Sequence, residues 1–414
     1  MNGIDKQLRD LLEAAAGEPP HRISVDAVRR RVIRRRLTEG MAGIAAVALV
    51  AVAIPVATGT FGHGPAAPSP GAARTGGPVA YVANGTTGTV TPIFTATNRA
   101  GRPVKVGVKG LIAITPDGKT LYVANDTANT VTPVSTATSR AGHPIPVGAV
   151  PESLMITPDG KTLYVANLDS GSVTPISTAT NRAGQQITTG NRPRGFAITP
   201  DGKTLYVVNQ GSSTVTPIAT ATNRAGKPIH VGNGPLAIAM APDGKTVYTA
   251  NPGYGSASDT VTPISTATNR AGQPINAGPF PFAIAVTPDS KTVYVASGAS
   301  GTVTPIAAAT GTPGPPIKIG RELGAIAITP DGKTAYVVSY AAGTVTPIAT
   351  ATNTPGKPIH VGAQAIAIAI TPDGKTAYAV SWQAGTVTPI STATNRPGRP
   401  IHVGRGAFTI AMPR

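Results

Sequence analysis

The chain has 414 residues, a net charge of +17, 48 glycines, 41 prolines and no cysteine. The missing cysteine excludes disulfides, thiol chemistry and cysteine-ligated metal. Glycine and proline at about a fifth of the chain, with only 13% charged residues, exclude a helical enzyme and a highly charged disordered chain, and suit many short strands joined by tight turns. The positive balance favours anionic partners or surfaces.

In chain order, residues 2–16 read as a short amphipathic helix. Ile4, Leu8, Leu11, Leu12 and Ala15 fall at helical spacing, and Gly17, Pro19 and Pro20 end it. Ser24 caps a second helix with Asp26 in its first turn. This helix carries Arg29, Arg30, Arg31, Arg34, Arg35 and Arg36. Residues 40–62 carry no charge, and Ile44 to Ile54 is almost wholly Ala, Val, Leu and Ile. A stretch of roughly 20 apolar residues spans a bilayer as a helix. The arginines flank only its N-terminal side, so the positive-inside rule predicts residues 1–39 in the cytoplasm, 40–62 as a single transmembrane helix, and everything beyond as extracytoplasmic. A cleaved signal peptide ending near Ala51-Val52-Ala53 is the rival reading, but about 40 residues precede a core longer than such signals carry. Residues 63–78 are a Pro/Gly/Ala spacer without periodicity.

Self-similarity dominates residues 79–414. Tyrosines recur at Tyr81, Tyr122, Tyr164, Tyr206, Tyr248, Tyr294, Tyr336 and Tyr378, spaced 41, 42, 42, 42, 46, 42 and 42 residues apart. The long step holds the insertion around Tyr254. One unit, 111–148, contains an apolar run LIAI, a Thr-Pro-Asp-Gly turn, the strand LYVAN, the strand NTVTPVS, the turn TSRAG and a last strand PIPVG. Four strands in about 42 residues is the period of a propeller blade. Pro and Gly every few residues exclude a helical solenoid. VAYVAN (79–84) lacks an apolar strand before it, and AFTIAM (407–412) lacks a Tyr strand after it, so the two ends are expected to complete one blade and remove two open edges. The predicted fold is all-β: an eight-bladed propeller of four-stranded blades closed by its terminal strands, with seven as the alternative if one unit is displaced. Every third strand carries a proline (Pro92, Pro133, Pro175 and their equivalents), which predicts a bulge or a shortened strand there.

The recurring order YVAN, TVTPIS, TATNRAG, HVG and TPDGKT resembles the YVTN-repeat β-propellers, whose relatives include surface-layer repeats and lactonase-like propellers. Thr-Pro in the third strand departs from the family's Val-x-Val-Ile-Asp. The resemblance implies that the apolar strand lines the central channel. An upper face then carries the loop after YVAN and the loop entering the next blade, and a lower face carries TPDGKT and TATNRAG.

The upper loops hold the residues that break the repeat, and loops on a rigid frame carry function. Arg192, Arg194, Arg321, Glu322, Arg405, Tyr340, Trp382, Phe280 and Phe282 are the ligand-binding candidates, with Lys109, Glu152 and Tyr254 on the same loops. On the lower face Arg99, Arg140, Arg182, Arg224, Arg270 and Arg396 occupy one repeat position without a neighbouring acid, and form a candidate surface for anionic lipid or cell-wall polymer. His230, His360 and His402 share one outer-strand position on separate blades, a poor geometry for metal. Seven of the twelve acids in 79–414 are repeated turn aspartates, and no Ser-His-Asp elbow, HExxH or phosphate loop occurs. Trp382 alone does not match the repeated tryptophans of eight-bladed quinone dehydrogenases. No cofactor and no metal are expected. The function read from the sequence is a membrane-anchored, extracytoplasmic binding or surface-architecture module for an anionic polymer, glycan or protein partner. The alternative is a lactonase-like hydrolase using Glu152 or Glu322 with upper-face arginines, and duplex DNA on the basic face is a third, weaker option.

Overall fold

The computed structural model describes residues 78–107, 110–253 and 259–413. The helices and transmembrane segment expected before residue 63, the spacer up to residue 77, Lys109 and Tyr254 lie outside the described residues. Among the described residues every regular element is a strand, and no helix is long and apolar enough to cross a membrane.

The strands form eight separate antiparallel sheets, one per repeat. Blade 3 shows the pattern. Its inner strand is Pro151–Ile156, its second Thr162–Asn167 and its third Ser172–Ser177. The outer position holds two short pieces, Arg182–Ala183 and Ile187–Thr188, both paired with the third strand. Strands with apolar residues at both parities, such as Leu163, Tyr164, Val165 and Ala166, bury both sheet faces, so each blade must be covered on both sides. Neighbouring blades supply the cover. Tyr122, Ala124 and Val131 of blade 2 pack with Leu154, Leu163, Val165 and Ile176 of blade 3, and the same cluster recurs at later junctions.

The lower turns explain themselves chemically. Thr115 Oγ1 donates to the Asp117 carboxylate at 2.6 Å and the Lys119 N–H donates to it at 3.0 Å. These bonds, the threonine's first, hold the Asp117 carboxyl below its usual range. Lys119 Nζ lies 3.3 Å from Asp117, but both side chains are exposed, so the ion pair adds little.

The proline expectation is corrected. The third strands are full six-residue strands with unbroken register against the second, with Pro133 opposite Tyr122 and Pro175 opposite Tyr164. The reason is direction. In a strand a residue's N and C=O point to the same side, and each proline carbonyl accepts from a glycine on the outer side, as Gly142 N to Pro133 O at 2.7 Å. The missing donor therefore faces outward, where the outer strand breaks into its two pieces. The bulges lie instead at the upper ends of inner strands, between Pro151 and Ser153, Pro193 and Gly195, and Pro281 and Ala283.

Closure is as expected. Ala407–Ala411 pairs with Val79–Asn84, in register Tyr81 to Ala411, Val82 to Ile410 and Ala83 to Thr409. Asn84 Nδ2 donates to Gly404 O at 2.8 Å across the same seam. The inner strands follow one another around the ring, and Ala407–Ala411 meets Ile112–Ile114, so all eight blades belong to it. Six tyrosine hydroxyls then tie six of the eight blade junctions. Tyr122 donates to Asn181 Oδ1 at 2.7 Å, Tyr164 to Asn223 at 2.6 Å, and Tyr378 to Asn98 at 2.6 Å across the seam.

Candidate functional site

In blades 3 to 8 and in blade 1 the upper loop enters its inner strand through a residue in the left-handed region. These are Val150, Arg192, Phe280, Glu322 and Gln364, with φ between 51° and 56°, and glycines in blades 5 and 1. Except in blade 5, where Pro252 has no N–H to give, the carbonyl of this residue accepts from the first residue after the second strand. Arg192 O takes the Gln210 N–H at 3.0 Å, Glu322 O that of Tyr340 at 2.9 Å, and Gln364 O that of Trp382 at 2.9 Å. The upper loops are thus pinned in pairs, and their side chains vary on a fixed backbone.

Two residues further on, in blades 1, 3, 4, 6 and 8, an inner-strand bulge re-aims one side chain at the upper end. In blades 3 and 4 these are Glu152 and Arg194, which pair at 3.7 Å with both side chains largely buried. In blades 6, 8 and 1 the bulged residues are Phe282, Ile366 and Phe408. Trp382 meets Phe408 edge-on, with ring centroids 5.8 Å apart. The bulged side chains are therefore a charged pair in blades 3 and 4 and apolar in blades 6, 8 and 1.

On this face a cleft of about 490 Å³ opens at the junction of blades 7 and 8. Tyr340, Gln364, Gln383 and His360 supply its side-chain polar groups, and the small residues of 341–343 and 362–363 complete its lining. Burial, and then the Glu322 carboxylate, push the Tyr340 hydroxyl above its ordinary range, so Tyr340 is a neutral hydrogen-bonding group at physiological pH.

The sequence candidates divide accordingly. Tyr340 lines the cleft and Glu322 stands beside it. Arg194 is held by Glu152. Phe280 and Phe282 are 7% and 1% exposed and support the mouth from within, so they offer no surface to a ligand. Arg192, Arg321 and Arg405 are exposed, but on loops entering blades 4, 7 and 1, and the fold does not gather them. Sequence reasoning passed over Gln364, Gln383 and Phe408. The first two sit beside repeat-breaking residues, and that position was their available signal. The six arginines of the lower set are all exposed, one per blade, each in the first short piece of the outer strand, as Arg182 opposite Ser177. Among the described residues no group of three or more His, Asp or Glu is placed to hold a metal ion.

The family model for the lactonase seven-bladed β-propeller matches residues 79–183 and 177–228. This chain has eight blades where that family is described with seven. None of the curated proteins compared with the chain matches it. Among solved structures, the chain is similar to the hydrazine synthase of Kuenenia stuttgartiensis, with 25% identity, TM-score 0.58, and cover of 68% of this chain and 95% of that one. It is also similar to the dihydro-heme d1 dehydrogenase NirN, solved in complex with DHE, with 13% identity, TM-score 0.69, and cover of 79% and 73%. A functionally unknown protein from Desulfotomaculum acetoxidans matches at 15% identity and TM-score 0.53, over 81% and 98% of the two chains. What these structures share with this chain is the propeller.

Proposed function

We propose that the protein is a membrane-anchored, extracytoplasmic propeller that acts as a binding module, and that its ligand is a glycan received in the cleft between blades 7 and 8. The cleft is the observation that carries this reading. A tyrosine ring, two amides and an imidazole around about 490 Å³ suit a sugar, which offers C–H faces to an aromatic ring and hydroxyls to amides. The anchor rests on the charge-free stretch 40–62 beside its arginine cluster. Retention of the full chain in the membrane pellet after an alkaline wash supports that part, and its release removes it.

The cleft is tested by calorimetric titration of the protein with a panel of neutral and anionic oligosaccharides. Tyr340→Ala and Gln383→Ala are each expected to weaken binding at least ten-fold and to leave the thermal midpoint unchanged. If no glycan binds, or binding ignores both substitutions, the cleft is not the site.

A second reading draws on the partial lactonase match: hydrolysis of a cyclic ester at the upper mouth. Glu152 belongs to blade 3 and Glu322 to the loop entering blade 7, on opposite sides of the ring, so the two carboxylates do not share a pocket. Acid release from a lactone panel, lost on Glu152→Gln or Glu322→Gln, would favour this reading over the first.

A further inference from the structure

Phe94 is the exposed large hydrophobic side chain of the described residues, at 40% of its full accessibility. It ends the third strand of blade 1. The equivalent positions elsewhere are small, as at Ser135, Ser177, Ala219 and Ser391. Phe94 pairs with Arg99, and residues directly opposite in an antiparallel pair share a face. The first outer piece of blade 1, Arg99–Ala100, lies against the last outer piece of blade 8, Ile401–His402. Its second piece, Val104–Lys105, lies against Arg140–Ala141 of blade 2. An unbroken band thus crosses three blades with Arg396, Arg399, Arg99, Arg102, Lys105 and Arg140, all exposed. Segments 391–404, 94–106 and 135–148, which build the band, contain no acidic residue. Blade 1 also lacks the Pro-Asp-x-Lys turn of the other blades, because its inner strand comes from the far end of the chain. The described chain begins beside the same patch, where Thr95 donates through both N–H and Oγ1 to Pro78 O.

We propose that the outer edge of blade 1, with Phe94 at its centre and the flanking cations of blades 8 and 2, docks on an anionic lipid surface. Two features favour a bilayer over a second copy of the chain or a soluble polyanion. A second copy in a symmetric dimer would set this cationic band against itself. A polyanion would have no use for one exposed aromatic ring, whereas such a ring sits well at the headgroup boundary between basic residues. The apolar stretch 40–62 ends 16 residues before Pro78, and an extended spacer of that length reaches about 50 Å, within tether range of a bilayer. The inference goes beyond the glycan cleft and does not depend on it.

Among the described residues the ring closes with Val79–Asn84 and Ala407–Ala411, so the test uses the full chain and, beside it, residues 78–414, with a cooperative thermal transition required of the shorter protein. The measurement is co-sedimentation with vesicles of phosphatidylcholine, with or without a quarter of phosphatidylglycerol. Each substitution installs a residue that another blade already holds. Phe94→Ser copies Ser135, and Arg99→Thr and Arg396→Thr copy Thr312 and Thr354. Binding is expected only with the anionic lipid, and at least ten-fold weaker at 0.5 M salt, where screening shortens the reach of exposed charges. Phe94→Ser, Arg99→Thr and Arg396→Thr are each expected to weaken it about five-fold. Arg182→Thr, at the same repeat position outside the band, should change it less than two-fold. Equal binding to neutral vesicles, no binding, or an Arg182→Thr effect matching that of Arg99→Thr would overturn the proposal. So would binding of duplex DNA or polyphosphate as tight as that of vesicles and indifferent to Phe94→Ser.

Discussion

Six tyrosines in the second strands reach across a blade junction to an asparagine, and these same six hydroxyls are pushed up to about 12 by burial. The asparagines stand at φ near 53°, a conformation this residue tolerates better than most, so one side chain both makes the turn and accepts the bond. The tyrosine was legible as the marker of the repeat. Its partner was not, because Tyr122 and Asn181 lie 59 residues apart and the asparagine reads as a turn residue alone. Blade 6 departs: Gly311, at φ 67°, stands where the acceptor for Tyr248 would be. A Cβ there meets only the flexible tip of Ile275, at 3.2 Å. Gly311→Asn is therefore expected to add one inter-blade hydrogen bond and stabilise by about 1 kcal/mol, read as a rise of the thermal midpoint by about 1–2 °C. A fall in the midpoint would show that the turn cannot take the side chain. Residue-level readings failed for Phe280 and Phe282, whose burial depends on a left-handed residue and a bulge that no local pattern announces.

At the level of the strand, the repeat was readable from alternating turns and β-branched runs, and the expected four strands per blade are present. The proline was misjudged because its effect depends on which way the residue points, and periodicity carries no such information. The strand solves the problem with a pair: a proline whose bare nitrogen faces the outer gap, and a glycine whose N–H meets the proline carbonyl. A Cβ on Gly356 would come within 3.0 Å of Pro347 Cγ. Gly356→Ala should cost about 1 kcal/mol in the parent and close to nothing in a Pro347→Ala background. Chemical denaturation of the four proteins of the cycle measures this, and equal costs in both backgrounds would show that the close approach to the ring is not the cause.

For the ring as a whole, eight blades and terminal closure were legible because the first unit lacks what the last supplies. The cleft was not, since it arises where two loops from adjacent blades meet and neither carries a motif. Ending the chain at Gly406 removes Ala407–Ala411 and leaves Val79–Asn84 with one bare edge. That shortened protein is expected to lose its single cooperative transition and to elute as aggregates in size-exclusion chromatography. A monomer with the parent's midpoint would show that closure contributes little. The same arrangement bears on biosynthesis. The strand that fastens the ring leaves the ribosome about 320 residues after the one it must meet, an interval of roughly 16–65 s at common translation rates. Throughout that time each nascent molecule exposes an unpaired backbone, so holding neighbours apart is a demand set by the order of synthesis.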